Sequence, residues 1–221
     1  MGHPKARKAA SVRRLFSRTS DVLLAMALAL VAVYLGCNVY PRVRFDRERI
    51  EVWATPRQIQ VTGLYHYKNT STVPAFLSLG LPFPVDAEHP RPSMYQISTA
   101  TEDGRMLKEI DTTEHFGNVR FRVLLRPHED KWVRVDYVQR TTVSNGTYIL
   151  LTTRKWRRSL DRGDYILHLG PDLELQSTNY LPDKVGPDSN TYSFSKINFY
   201  PDADWKFAWR TSEANAYARS R

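Results

Sequence analysis

Polar and apolar residues alternate with a period of two through most of the chain after residue 41. In residues 58–68, Ile59, Val61, Tyr65 and Tyr67 fall on one face of an extended segment, and mostly polar residues fall on the other. Gly, Pro, Asn and Asp stand at most junctions between such segments. About eight to ten short strands at this spacing predict a mainly β chain. We expect an antiparallel, Ig-like β-sandwich, with a closed barrel as the main alternative.

The strands are expected to pair with their neighbours in sequence. Residues 75–81 are expected to pair with 58–68, and residues 95–101 with 106–110 across an Asp103-Gly104 turn. Residues 118–126 and 131–141 are expected to form the clearest hairpin, joined by residues 127–130. Further strands are predicted at 148–152, 165–169, 191–199 and 205–209.

Before these strands, residues 22–40 carry no charged side chain. As a helix they would span about 28 Å, close to the hydrocarbon core of a bilayer. The segment is therefore predicted to be an uncleaved membrane anchor. The residues that define its length and its outer aromatic end are Val22, Leu28, Val33, Tyr34 and Tyr40. A cleaved signal peptide, a lipoprotein signal ending at Cys37 and a buried soluble helix are weaker alternatives.

The formal net charge of +9 is divided unequally. Residues 1–41 hold six basic groups and one acidic group, and such a block before a span predicts an N-in, C-out orientation. The predicted organisation is a basic cytoplasmic tail (1–21), a transmembrane helix (22–41), a charged stalk (42–50), a β-sandwich ectodomain (51–211) and a polar C-terminal tail (212–221). The predicted location is the cytoplasmic (inner) membrane, with the C-terminal domain extracytoplasmic, where nucleic acid is not an expected partner.

Three segments carry a family resemblance, namely VTGLYHYKNTSTVPAFLSLGLPFP, FRVLLRPHEDKWVRVDYV and YILLTTRKW. They resemble the β-sandwich ectodomains that follow a single anchor in many uncharacterised bacterial membrane proteins. Those domains are similar to Ig-like and fibronectin-III-like modules. The resemblance implies a fold and a topology, and it implies no catalytic residue.

The sequence contains no recognisable catalytic or cofactor motif. Its six histidines show no i, i+2 or i, i+4 pair for a metal, and Cys37 is its one cysteine. Phosphate-binding glycine patterns and G-x-S-x-G are absent. We therefore predict no cofactor, no metal and no enzymatic activity, with an envelope hydrolase as a secondary alternative.

Two basic groups are candidate binding surfaces. The first is an arginine row on the outer face of the predicted 118–141 hairpin, and the second is a basic loop around a tryptophan. An anionic polysaccharide or a lipid headgroup would suit both. The primary expectation is a protein-interaction or structural subunit of a membrane assembly. The candidate residues are Arg120, Arg122, Arg126, Arg134, Arg140, Arg154, Lys155, Trp156, Arg157 and Arg158.

Overall fold

The computed structural model describes residues 24–31, 43–115 and 117–212. Strands dominate this part of the chain, as the alternating pattern predicted. The strands are β1 (Val43–Thr55), β2 (Gln58–Asn69), β3 (Ala75–Leu81), β4 (Met94–Ala100), β5 (Met106–Glu109), β6 (Thr112–His115), β7 (Asn118–Leu125), β8 (Asp130–Arg140), β9 (Asn145–Tyr148), β10 (Leu160–Leu169), β11 (Leu173–Thr178), β12 (Lys184–Val185), β13 (Thr191–Phe199) and β14 (Trp205–Thr211). A 3₁₀ helix, Leu151–Trp156, lies between β9 and β10.

The described strands form three sheets. The main sheet has eight strands in the order β12-β13-β10-β1-β2-β8-β4-β5, and the two smaller sheets are β11-β14-β9 and β3-β7-β6. Strands β1 and β10 run parallel, so the main sheet is mixed. The prediction of a mainly β fold is confirmed, whereas the prediction of a purely antiparallel arrangement is wrong. An Ig-like type of sandwich is not shown.

The predicted charged stalk, residues 42–50, is a further departure from expectation. From Val43 onward these residues belong to β1, which lies in the interior of the main sheet between β2 and β10. Arg47 and Arg49 are on its half-buried outer face, whereas Glu48, Ile50 and Val52 are buried on the inner face. The strand carries charged side chains on its outer face and a buried carboxyl on its inner face. Together they give it the high charge that led to the prediction of a stalk.

Two of the predicted strand pairings are also wrong, although the strands themselves are present. Strand β3 pairs with β7 rather than with β2. Strand β7 pairs with β3 and β6, while β8 pairs with β2 and β4, so the two arms of the predicted hairpin lie in different sheets. The chain crosses from one sheet to the other at residues 126–129. In contrast, the predicted β4–β5 hairpin is confirmed.

Asn69 fixes the end of β2 against the end of β7. Its side chain is fully buried, and its Nδ2 donates to the carbonyl oxygens of Val73 at 2.8 Å and Arg126 at 2.9 Å. Its Oδ1 accepts hydrogen bonds from the backbone N–H and the hydroxyl of Ser71. These bonds hold the β3–β7–β6 sheet over the inner face of the main sheet.

The predicted anchor lies largely outside the described residues. Of the defining positions, only Leu28 is described, and it belongs to a short helical segment at residues 24–31 whose large apolar side chains are exposed. In the part of the chain that the structure describes, no helix has the length and apolar character needed to cross a bilayer. The predicted tails, 1–21 and 212–221, are outside that part as well, apart from Ser212.

Candidate functional site

A cavity of about 680 Å³ lies between the inner face of the main sheet and the β3–β7–β6 sheet. Tyrosines from β2, β8 and β9 line it, together with Phe45 of β1 and Trp156 of the 3₁₀ helix, and we call it the tyrosine cleft. Its tyrosines are Tyr65, Tyr67, Tyr137 and Tyr148. Such a volume and such an aromatic lining are typical of ligand sites in proteins.

Glu48 is the one carboxyl among the lining residues. It lies on the inner face of β1, beside Tyr65 of β2 and Gly163 of β10. The Tyr165 hydroxyl donates a hydrogen bond of 2.5 Å to its Oε1. Burial disfavours the charged carboxylate more than this bond favours it, which raises the pKa of Glu48 to about 7. The cleft therefore contains an acid that changes its charge near neutral pH.

Two Gly-x-Tyr segments, on the strands that flank β1, shape this part of the cleft. A Cβ at Gly163 would come within 2.6 Å of the Tyr165 hydroxyl, and a Cβ at Gly63 would collide with the hydroxyl of Tyr65. The missing side chains allow both rings to lie back along their own strands. This arrangement brings the Tyr165 hydroxyl to Glu48.

The Tyr65 hydroxyl in turn shares a 2.7 Å hydrogen bond with the hydroxyl of Tyr148 on β9. Burial is the largest of the effects on the pKa of these two phenols, and it raises each pKa well above the ordinary value of tyrosine. Both groups therefore stay neutral at physiological pH. The cleft can thus offer a ligand hydroxyl groups that both donate and accept hydrogen bonds.

The 3₁₀ helix closes one side of the cleft. The Trp156 ring packs against Phe45 and Tyr67, with centroid distances of 5.7 and 5.6 Å. The start of the helix is fixed by Asp204, whose Oδ1 accepts the backbone N–H groups of Leu150 and Leu151 at 2.8 and 2.9 Å. The prediction of a strand at residues 148–152 is wrong beyond Tyr148, because the chain turns there into this helix.

The opposite wall is the strand β3. Residues 77–82 line the cleft without interruption, so the cavity follows the length of this strand. The lining residues that are exposed are Ser78, Gly80, Asn118, Arg120 and Lys155. The cleft therefore opens to solvent between β3, its neighbour β7 and the 3₁₀ helix.

The structure brings together members of both predicted basic groups. Arg120 comes from the arginine row, Lys155 and Trp156 come from the basic loop, and all three line the tyrosine cleft. In the described part of the chain, neither Arg120 nor Lys155 forms an ion pair. The mouth of the cleft is consequently basic.

The remaining candidates lie elsewhere. Arg122 on β7 and Arg126, directly after β7, are exposed, whereas Arg134 and Arg140 are on β8 of the main sheet. The predicted row therefore does not form one face. Arg134 is bound to Asp136 at 2.6 Å. The other basic residues of the loop are also exposed: Arg154 lies over the Tyr200 ring, Arg158 lies 3.9 Å from Asp161, and Arg157 ends the 3₁₀ helix.

Sequence reasoning missed the floor of the site, where Glu48 and Tyr65 line the cleft and the buried Tyr165 is hydrogen-bonded to Glu48. The repeated Gly-x-Tyr pattern at 63–65 and 163–165 was the available signal. The second signal was a single acidic residue at a position where the alternating pattern places apolar residues. Glu48 occupies such a position, on the same face as Ile50 and Val52.

Among the described residues, no group of three or more His, Cys, Asp or Glu side chains could hold a metal ion. A buried polar pair outside the lining of the cleft is His66 and Asp46, joined at 2.5 Å. Burial acts to raise the pKa of Asp46, but the hydrogen bond and charge of His66 outweigh it and leave the pKa below its ordinary value. The lining of the cleft contains no histidine and no second carboxyl, so the cleft does not assemble a pair of catalytic acids.

Neither a protein-family model nor a curated protein matches the sequence. The fold is similar to the crystal structure of a Legionella pneumophila protein provisionally described as a nutrient binding protein. That match has a TM-score of 0.63 and 12% identity, and it covers 81% of this chain and 70% of that one. The M1 zinc metallopeptidase of Deinococcus radiodurans matches with a TM-score of 0.44 and 9% identity, over 75% of this chain and 42% of that one. At these identities the likeness concerns the fold alone.

Proposed function

We propose that this chain is a non-enzymatic binding protein that takes its ligand in the tyrosine cleft. The observation that carries the proposal is the open cavity of about 680 Å³, in which one buried carboxyl and several phenol hydroxyls lie among aromatic rings. A packed sandwich core normally leaves no void of this size. Buried polar groups in an aromatic cavity are the usual means by which a binding site orients its ligand.

Two further points support a binding role. The lining brings together a single carboxyl without a histidine or a second acid, which suits recognition better than hydrolysis. The Legionella pneumophila protein of similar fold is provisionally described as nutrient binding, which is consistent with a binding role. The sequence-based prediction of a structural subunit in a membrane assembly stays a prediction.

The experiment is a titration with 1-anilinonaphthalene-8-sulfonate, whose rings and sulfonate match the aromatic walls and the basic mouth. We expect a single site in the unmodified chain. Thr152→Trp should weaken binding about tenfold or more, because Thr152 lines the cleft and the larger ring would fill it. Leu151→Trp is the matched control, since Leu151 is in the same 3₁₀ helix but does not line the cleft. Equal binding by both variants, or no binding by the unmodified chain, would contradict the proposal.

We also propose that the β domain is extracytoplasmic, held by residues 22–40 at the cytoplasmic membrane. The basic block before this apolar segment supports the orientation. Protease added to spheroplasts should digest residues 43–212 while a cytoplasmic marker protein stays intact. Protection of these residues until detergent is added would show that the orientation is wrong.

A further inference from the structure

Strand β3 is an edge strand with unusual properties. Among the described residues, β7 pairs with one of its edges and nothing pairs with the other. That free edge borders the tyrosine cleft, since residues 77–82 line the cavity continuously. Unpaired N–H and C=O groups on such an edge can accept another strand.

The other sheet edges are protected, whereas β3 is not. Proteins usually blunt an edge by making it short or by placing charges on it. Strands β5, β6, β11 and β12 contain charged residues, and β9 has only four residues. Strand β3 has seven residues, AFLSLGL, with no charge and no proline. It is therefore the longest edge strand in the described sheets, and it is open to pairing.

The residues around this edge indicate what would pair with it. On the side of the cleft, Leu77, Leu79 and Leu81 line an apolar and aromatic wall. On the other, exposed face of this sheet, Arg120, which also reaches the mouth of the cleft, and Arg122 of β7 lie opposite Gly80 and Ser78 of β3. Because strands lie about 4.8 Å apart, an arginine side chain can extend across such small residues to the free edge.

We propose that the tyrosine cleft receives an extended peptide that adds a strand to the free edge of β3. Its alternate side chains would be apolar, facing the cleft, and acidic, facing Arg120 and Arg122. The strand would supply the missing backbone hydrogen bonds, and the cleft would select the apolar side chains. This inference rests on the proposed binding function and specifies the class of ligand.

The test uses a capped hexapeptide that alternates valine and glutamate. We expect saturable binding by calorimetry, and we expect slower amide hydrogen exchange in residues 76–81. A hexapeptide with lysine in place of glutamate should bind about tenfold more weakly or not at all, because like charges would face Arg120 and Arg122. N-methylation of the alternate residues whose N–H groups face β3 should abolish binding, because the peptide can then no longer donate to that edge. N-methylation of the other alternate residues leaves those donors intact, so only one of the two alternately N-methylated hexapeptides should lose binding.

Variants of the protein separate the role of charge from the role of the fold. The double variant Arg120→Glu/Arg122→Glu should bind the acidic hexapeptide about tenfold more weakly and should prefer the lysine peptide. Arg140→Glu is the matched control, because Arg140 is also exposed but belongs to the main sheet. It should bind the acidic hexapeptide as the unmodified chain does.

The outcomes distinguish this inference from the proposed function. If the dye binds in the cleft but the acidic hexapeptide leaves exchange in residues 76–81 unchanged, strand addition is wrong and the binding function stands with a small-molecule ligand. Equal binding of the N-methylated hexapeptides would also overturn strand addition. If neither the dye nor the hexapeptide binds, both proposals are wrong.

Discussion

The buried carboxyl of Glu48 should make the stability of this protein depend on pH in an identifiable way. Burial raises the pKa of Glu48 from an ordinary value of 4.5 to about 7 in the folded chain. In the unfolded chain the carboxyl is solvated and loses its proton near the ordinary value. The folded state therefore binds this proton more tightly, and raising the pH through this range works against folding.

The magnitude follows from the two pKa values. Each pH unit between them corresponds to about 1.4 kcal/mol, so the full effect is about 3 kcal/mol. Below pH 4.5 both states are protonated and the carboxyl costs nothing. Between pH 4.5 and 7 the cost grows, and above pH 7 it is complete. Glu48→Gln keeps the shape of the side chain and its bond to Tyr165 but has no proton to lose.

The assay is urea unfolding followed by tryptophan fluorescence at pH 4 and pH 8. The free energy of unfolding of Glu48→Gln minus that of the unmodified chain should be about 3 kcal/mol larger at pH 8 than at pH 4. The difference between variants matters because other acids also titrate. Glu51→Gln, on the opposite face of β1, should show no such change. Parallel pH profiles for Glu48→Gln and the unmodified chain would refute the reasoning.

Three other substitutions test the architecture around the cleft. Gly163→Ala should lower the free energy of unfolding by about 1–3 kcal/mol, because the new Cβ would meet the Tyr165 hydroxyl at 2.6 Å. Gly80→Ala, where the nearest atom would be 3.9 Å away, should change it by less than about 0.5 kcal/mol. Asp46→Asn should cost about 3 kcal/mol near pH 7, because it leaves buried His66 without its carboxylate. That loss should shrink below about pH 4, since the lowered pKa of Asp46 makes its contribution disappear as the carboxyl is protonated. Chemical denaturation with intrinsic fluorescence measures all three.

The sequence predicts the strands far better than it predicts their pairing. Strand β3 was located at its exact bounds, because alternation is a local property that one segment displays by itself. The partner predicted for β3 was wrong. The segment between β7 and β8 looks like a hairpin turn, but it carries the chain from one sheet to another, and β7 pairs with β3 instead of β8. Pairing depends on packing between distant segments, which a local pattern does not contain.

The site was predicted only at its rim. Arg120, Lys155 and Trp156 were found because basic and aromatic side chains are conspicuous in a sequence. Glu48 was overlooked because its neighbours Arg47 and Arg49 made the strand resemble a solvated segment. A buried acid can be recognised only when the face that it shares with Ile50 is known, and that face is defined by the tertiary structure.

The parallel pairing of β1 with β10 also sets the order in which the site can be built. Glu48 and its hydrogen-bond partner Tyr165 are 117 positions apart in the chain. Contacts between such distant positions form late, because the entropy of closing the intervening loop must be overcome first. During synthesis, β1 and β2 can pair long before β10 emerges. Until then Glu48 has Tyr65 beside it but lacks the Tyr165 hydroxyl that donates to it, so this part of the site is complete only after β10 has paired with β1.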